Sequence, residues 1–468
     1  MIHTKESKNK WLVLLIVVLS TFMSALDSSI VNVALPKMAK ALSIDTSMIQ
    51  LVATSYLIVI VGTVLIFGRL GDILGKTEVF KSGIALFTLG SFLCGISNSF
   101  LLLIFSRGIQ AIGASAIMAN NQGIITEIFP SSERGRALGL SGTAVALGSI
   151  VGPGLGGIIV GAIGWQMIFL VNIPIGIFVF ILAFTLLPPS SKLEEQSLDT
   201  LGALLFILSI VPLFLGLSQS VKLGYSHMRV VGLLVVSVIS FIFFVKVEKK
   251  KASPLIQLKI FKNGLFTLSL LCGFISFVAL FCNNIILPFY LQDVMTYSPQ
   301  VAGVILMIFP LVLMIVAPVS GYASDKVGSE ILTVIGLMTI SGSLFMMSTL
   351  NETSSLGMLI TFIGFLSLGT GMFQSPNNSL IMSTVPKAQL GIAGSINALV
   401  RNLGMVTGIT LATTLLYGVM SAKLGMQVTD YMATDPGNFI AGMKTVYRFA
   451  SCISLVGAIL TILRIKRK

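Results

Sequence analysis

The residue in this chain best placed to do chemistry is an acid inside an apolar run. Asp27 stands in LDSSIVNVALP, Leu26 to Pro36, within the first long apolar stretch. A carboxylate at membrane depth is costly and is retained where it faces a polar cavity or a partner. Counted from Trp11 at the inner end, Asp27 lies roughly 24 Å along its helix, and counted inward from Phe100, Arg107 lies about 10 Å below the outer surface. Both reach a similar depth. A carboxylate and a guanidinium in one cavity hold each other charged, and protonating Asp27 breaks the attraction. The alternative is a fixed structural ion pair. Glu127, near the inner end of the same stretch as Arg107, is within reach of water and is a candidate for proton passage. These three residues point to proton coupling, with Asp27 at its centre.

Other polar and aromatic groups at depth are candidates to line a substrate path. Asn32 follows Asp27, and Gln110 follows Arg107, with Asn120, Asn121 and Gln122 further along. In the second half Phe274, Phe277 and Phe281 share one stretch with Asn283 and Asn284. GMFQSPNNS supplies Gln374, Asn377 and Asn378, and a later stretch holds Arg401 and Asn402. An enzyme would need a convergent set of His, Ser, Cys or acidic groups at depth. The chain has two histidines, no clustered carboxylates and four cysteines without CxxC spacing, so neither a metal nor a cofactor is expected. A channel is not expected either, since no carbonyl filter or inverted half-site is visible. The energy source would be the proton gradient.

These residues need membrane-spanning elements to hold them. Hydrophobic residues are 55% of the 468, charged residues 10%, and the mean hydropathy is +0.99. That is too little charge for a soluble surface. Apolar runs of about 20 residues recur along the chain, each long enough to cross a hydrocarbon core. Fourteen spans are expected, starting near residues 11, 47, 80, 101, 137, 166, 200, 229, 264, 301, 331, 356, 392 and 446. No cleavable signal pattern is seen. The net charge of +13 is read as topology rather than nucleic-acid binding. With both termini cytoplasmic, most Lys and Arg fall on the inner side. Lys246 to Lys251 and the tail RIKRK would lie near anionic lipid. The expected partners are the bilayer, protons and a small amphiphile, with the protein a monomer and no accessory protein indicated.

The chain also repeats itself. NVALP at Asn32–Pro36 returns as NIILP at Asn284–Pro288, an offset of 252; GRLGDILG at Gly68–Gly75 returns as GYASDKVG at Gly321–Gly328, an offset of 253. Pro130, Gly135, Gly148 and Gly152 return as Pro386, Gly391, Gly404 and Gly408, an offset of 256. Two parallel six-helix halves are implied, related by an axis along the membrane normal. The first occupies 1–187 and the second 264–468. A two-helix insert with cytoplasmic linkers, 188–263, has no repeat partner. At the first offset Asp27 aligns with Ala279, so the acid belongs to one half alone.

The fifth span holds ALGSIVGPGLGG. Gly148, Gly152 and Gly156 are four apart and share one helix face, while Pro153 removes a backbone donor and bends the helix. With Gly157 they form a surface suited to close helix packing.

The chain resembles the major facilitator superfamily, in particular its fourteen-helix drug:proton antiporter branch (the DHA2, EmrB/QacA-like family). The resemblance covers nearly the whole chain. LDSSIVNVALP is similar to that branch's first-helix motif, GRLGDILGK to the loop motif, RGIQAIGAS to the fourth-helix motif, and ALGSIVGPGLGG to the antiporter motif. The implied fold is all-α, two six-helix bundles plus two central helices. The implied function is multidrug-type efflux in exchange for protons, by alternating access in the cytoplasmic membrane. The loop motif implies a latch of Gly68, Asp72, Gly75 and Lys76, with Asp325 its repeat counterpart. Asp72 would meet the helix that begins after Gly328. Ile73 and Thr77 stand where basic residues are frequent, which weakens the basic part of the latch, and Gln166 replaces a frequent Arg. A carrier of a native lipid or metabolite, such as a bile acid or peptide, fits the same residues. Neutral, zwitterionic, monocationic and anionic substrates all stay open, with Arg401 favouring the last.

Overall fold

A computed structural model describes residues 3–188, 198–251, 254–256, 258–385, 390–428 and 436–465. Some helical side chains, including that of Asp325, lie outside the described set. The main helices run in chain order α1 His3–Leu42, α2 Leu51–Leu74, α3 Lys76–Gly95, α4 Phe100–Ile128, α5 Ser131–Ala162, α6 Asn172–Leu186 and α7 Thr200–Leu223. They continue with α8 Met228–Glu248, α9 Gly264–Phe289, α10 in two segments Pro299–Leu306 and Ile308–Val327, α11 Ser329–Met347, α12 Leu356–Ser383, α13 Leu390–Leu424 and α14 Pro436–Ile465.

Among the described residues, thirteen helices are long and apolar enough to cross a membrane. The fourteenth expected span, α5, has an apolar part of Leu147–Ala162 alone. Several of its residues before Leu147 lie outside the described set, and the whole helix runs from Ser131 to Ala162. α14 begins at Pro436, well before the expected start near 446. Proline suits a first helical turn, where its missing N–H has no partner to lose. The segment between α13 and α14 therefore runs only from Gly425 to Asp435, and its residues 429–435 lie outside the described set.

The sequence repeat is also a repeat of contacts. Ser99 caps α4 by accepting from the Leu102 N–H, and Ser355 caps α12 by accepting from Met358. Gly75 and Gly328 end α2 and α10 with φ of 100° and 98°, a left-handed conformation that glycine adopts at no steric cost. α1 packs on α5 as α9 packs on α13, and α3 on α4 as α11 on α12. The glycines make these approaches possible. A Cβ on Gly148 would lie 2.8 Å from the Phe22 carbonyl oxygen, and one on Gly404 2.9 Å from that of Phe274. A Cβ on Gly83 would meet the Gly113 carbonyl oxygen at 2.9 Å, and one on Gly336 that of Gly369 at 2.8 Å.

Among the contacts that join the halves, the two most extensive are related to each other by the repeat: α5 against α10, and α13 against α2. α7 pairs with α8 and also lies against both α2 and α13.

Candidate functional site

Asp27 and Arg107 form a fully buried ion pair between α1 and α4. The carboxylate is 0% exposed and the arginine 1%, and Arg107 Nη1 donates to Asp27 Oδ2 at 2.7 Å. Asp27 Oδ1 accepts from Gln110 Nε2 at 2.8 Å and from Asn172 Nδ2 of α6 at 2.9 Å. Arg107 also donates from Nε to the Val52 carbonyl at 3.0 Å and from Nη1 to Gln110 Oε1 at 2.6 Å. Its guanidinium carbon lies 4.1 Å from the centre of the Tyr56 ring, a cation–π contact strengthened by the absence of water. Gln110 Nε2 donates onward to Ser91 on α3 at 2.8 Å.

Five helices thus meet at one charge pair with its hydrogen bonds made. Such a pair contributes little net stability, because its attraction is offset by desolvation, but losing one member is expensive. A proton arriving at Asp27 would cancel the charge that Arg107 faces.

Gln110, expected to line a path, belongs to this cluster: it is 0% exposed, held by Asp27, Arg107 and Ser91. Sequence reasoning does not single out Asn172, Ser91 or Tyr56. A lone amide in the apolar run LVNIPIG is the one signal for Asn172.

The expected lining residues divide into two groups. Asn32 and Asn284, equivalent in the repeat, face each other across the two halves, with Asn32 Nδ2 donating to Asn284 Oδ1 at 2.6 Å. This contact belongs to a seal at the end of the molecule away from the termini. There Gln292 Nε2 donates to the Val33 carbonyl at 3.0 Å, Lys40 pairs with Asp293 at 2.9 Å, and the Thr46 and Tyr417 hydroxyls meet. Gly157 and Gly303 bring α5 and α10 together at the same end, a Cβ on Gly157 meeting the Pro299 carbonyl oxygen at 2.5 Å and Gly303 lying against that of Pro153.

The second group lies on α9, α12 and α13. Phe277 and Phe281 are partly buried against Gly404 and Gly408. Gln374 is partly buried and Asn378 exposed; Asn378 Oδ1 accepts from Asn397 of α13 at 3.0 Å. Asn377 turns away, buried, and donates to the Ser269 carbonyl at 3.1 Å. Arg401 is partly buried on α13.

At the other end of the first half, Lys76 reaches Glu127 at 2.6 Å and Asp72 at 3.4 Å, its stem packed over Gly123. Asp72 is thus paired with Lys76 of its own half, and across the halves α2 packs on α13. Gly68 makes ordinary contact with Ala119, while Gly71 lies against Asn120. The side chain of Asp325 is outside the described set. Of the α5 glycines, Gly148, Gly152 and Gly156 lie on α1 between Phe22 and Ile30, on the turns that carry Asp27. Gly157 serves the contact with α10.

Residues 17–409 match the profile of the Major Facilitator Superfamily. The chain is 35% identical over 456 residues to the riboflavin transporter RibZ of Clostridioides difficile (strain 630), covering 97% of each. It is 30% identical over 430 residues to the multidrug transporter protein MdtP of Bacillus subtilis (strain 168), covering 91% of this chain and 79% of that one. A crystal structure of the peptide transporter POT, in complex with sulfate, superposes with a TM-score of 0.70 at 14% identity, covering 97% of this chain and 94% of that one; that likeness concerns the fold.

Proposed function

The chain belongs to the major facilitator superfamily, and from that premise we propose that it exports small amphiphiles across the cytoplasmic membrane in exchange for protons, as a member of the fourteen-helix drug:proton branch. The observation that carries the reading is the Asp27 cluster: an acid sealed among the helices of one bundle, held by three donors and packed beside the glycine contact of α1 with α5. Relatives named as a multidrug transporter and as a multidrug resistance protein support it.

In this reading the bundles rock about the contacts α5–α10 and α2–α13. Most basic residues lie at the terminal end, so that end is taken as cytoplasmic and the structure as a state closed to the outside. Open to the outside, Asp27 takes a proton, releases its hold on Arg107, and substrate leaves. Open to the inside, it gives the proton up and substrate is admitted. Different binding in the two states is what couples the fluxes. The test is transport into proteoliposomes under an imposed pH gradient. Asp27→Asn should lose gradient-driven accumulation while substrate exchange without a gradient persists. Full gradient-driven transport by a well-inserted Asp27→Asn protein would refute the coupling role.

A second reading is carriage of a native metabolite of the flavin type. It is favoured by 35% identity along 97% of a protein named a riboflavin transporter, and Phe277, Phe281 and the amides of α12 suit a flat ring with a hydroxylated chain. Growth of a riboflavin auxotroph on low riboflavin, with and without this chain, separates it from drug export.

A further inference from the structure

Two arginines sit within the apolar depth of α4 and α13, and they are treated in opposite ways. Arg107 has a carboxylate, an amide, a carbonyl and an aromatic face. Arg401 makes no hydrogen bond or ion pair among the described residues, and its Nε is shielded from solvent without a partner. An uncompensated guanidinium inside a membrane protein is expensive and is retained where something binds it.

Its position says where that partner would come from. Gly394, Arg401 and Gly408 are seven apart and lie on one face of α13. Gly394 abuts Gln122 of α4 in the other bundle, and Gly408 abuts Val278 and Phe281 of α9. Arg401 thus stands on the same face of α13 as a contact with the other bundle and a contact with α9. One turn back, Asn397 holds Asn378 of α12 at 3.0 Å. One turn on, a Cβ at Gly404 would lie 2.8 Å from that of Phe277. Along α13, Arg401 thus stands between the amide pair Asn397–Asn378 on one side and the glycine contacts with Phe277 and Phe281 of α9 on the other. At the offset that relates Gly148 to Gly404, Arg401 corresponds to Val145, so this charge is carried by one half alone.

We propose that Arg401 is the counter-ion for an anionic substrate: a carboxylate on an amphiphile pairs with its guanidinium, Asn378 and Asn397 lie alongside, and Phe277 and Phe281 take the apolar body. The planar fork of donors on Arg matches a carboxylate in two parallel hydrogen bonds, which a lysine cannot reproduce. The inference rests on the reading of this chain as a carrier of small amphiphiles and names their charge.

The test compares naphthylacetate with naphthylacetamide, which differ at one heavy atom. Equilibrium binding to the purified full-length protein in detergent gives an acid-to-amide affinity ratio. The wild-type protein should favour the acid by about tenfold or more. Arg401→Gln should bring the ratio close to one, and Arg401→Lys should recover part of it. The proposal is overturned if neither probe binds, if the wild type does not favour the acid, or if Arg401→Gln keeps the ratio. Should Arg401→Gln fail to fold, Arg401→Lys decides: a fork-dependent site loses most of the ratio, and an unchanged ratio overturns the idea. Equilibrium binding needs no gradient. A preserved acid preference with Asp27→Asn still transporting under a pH gradient would therefore sink proton coupling and leave this proposal standing.

Discussion

Asp27 draws its donors from α4 and α6, and that closure sets the cost of taking any member away. Arg107→Gln leaves a buried carboxylate without its cation and should destabilise the protein by about 3–5 kcal/mol. Adding Asp27→Asn should return part of the loss, with an interaction energy of about 0.5–3 kcal/mol in a double-mutant cycle read by unfolding in micelles. Strict additivity would mean that the pair is not energetically coupled. The partnership of Asp27 with Arg107 is legible in the sequence, because residue counts along two helices fix two depths. Its other members are not. Which faces of α3 and α6 turn toward α1 is decided by packing, so Ser91 and Asn172 read as ordinary polar residues in apolar runs. For the same reason Gln110 looks as able to line a path as to serve the ion pair.

Glycine placement governs the elements, and α4 offers a comparison within one helix. A Cβ at Gly108 would meet nothing within 4 Å, whereas one at Gly113 would meet the backbone of Phe87 and Gly83. Gly108→Ala should be neutral or stabilise by up to about 1 kcal/mol through helix propensity. Gly113→Ala should destabilise by about 1–3 kcal/mol because the α3–α4 contact must spread. Equal melting temperatures for the two variants would show that the close approach is not holding the helices. The period-four glycines of α5 announce such a contact in the sequence, although not that α1 is the partner. The boundaries are less legible: α14 starts at Pro436, where moderate hydropathy conceals a helix.

For the whole molecule, the seal at one end fixes what must move. The Gln300 side chain of α10 fills the space that a Gly161 Cβ would take, so Gly161→Cys with Gln300→Cys places two thiols side by side. Oxidising this pair, in a Cys452→Ser background, should stop transport, and reductant should restore it; unimpaired transport while cross-linked would rule out opening at that end. The two halves are legible as a repeat at offsets of 252 to 256, and the contacts α1–α5 and α9–α13 return at those offsets. Which end is shut is not legible, because one sequence must encode both states. The helix α7 adds a last consequence. It lies along the α2–α13 seam like a gasket, touching both sides, while α5 and α10 meet beside α1 of the first bundle, and neither α7 nor α8 of the insert packs on that seam among the described residues. As the bundles part, acyl chains press on both seams, and one of them is covered. An amphiphile coming from the bilayer rather than from water would find one flank of the molecule shuttered and the other bare.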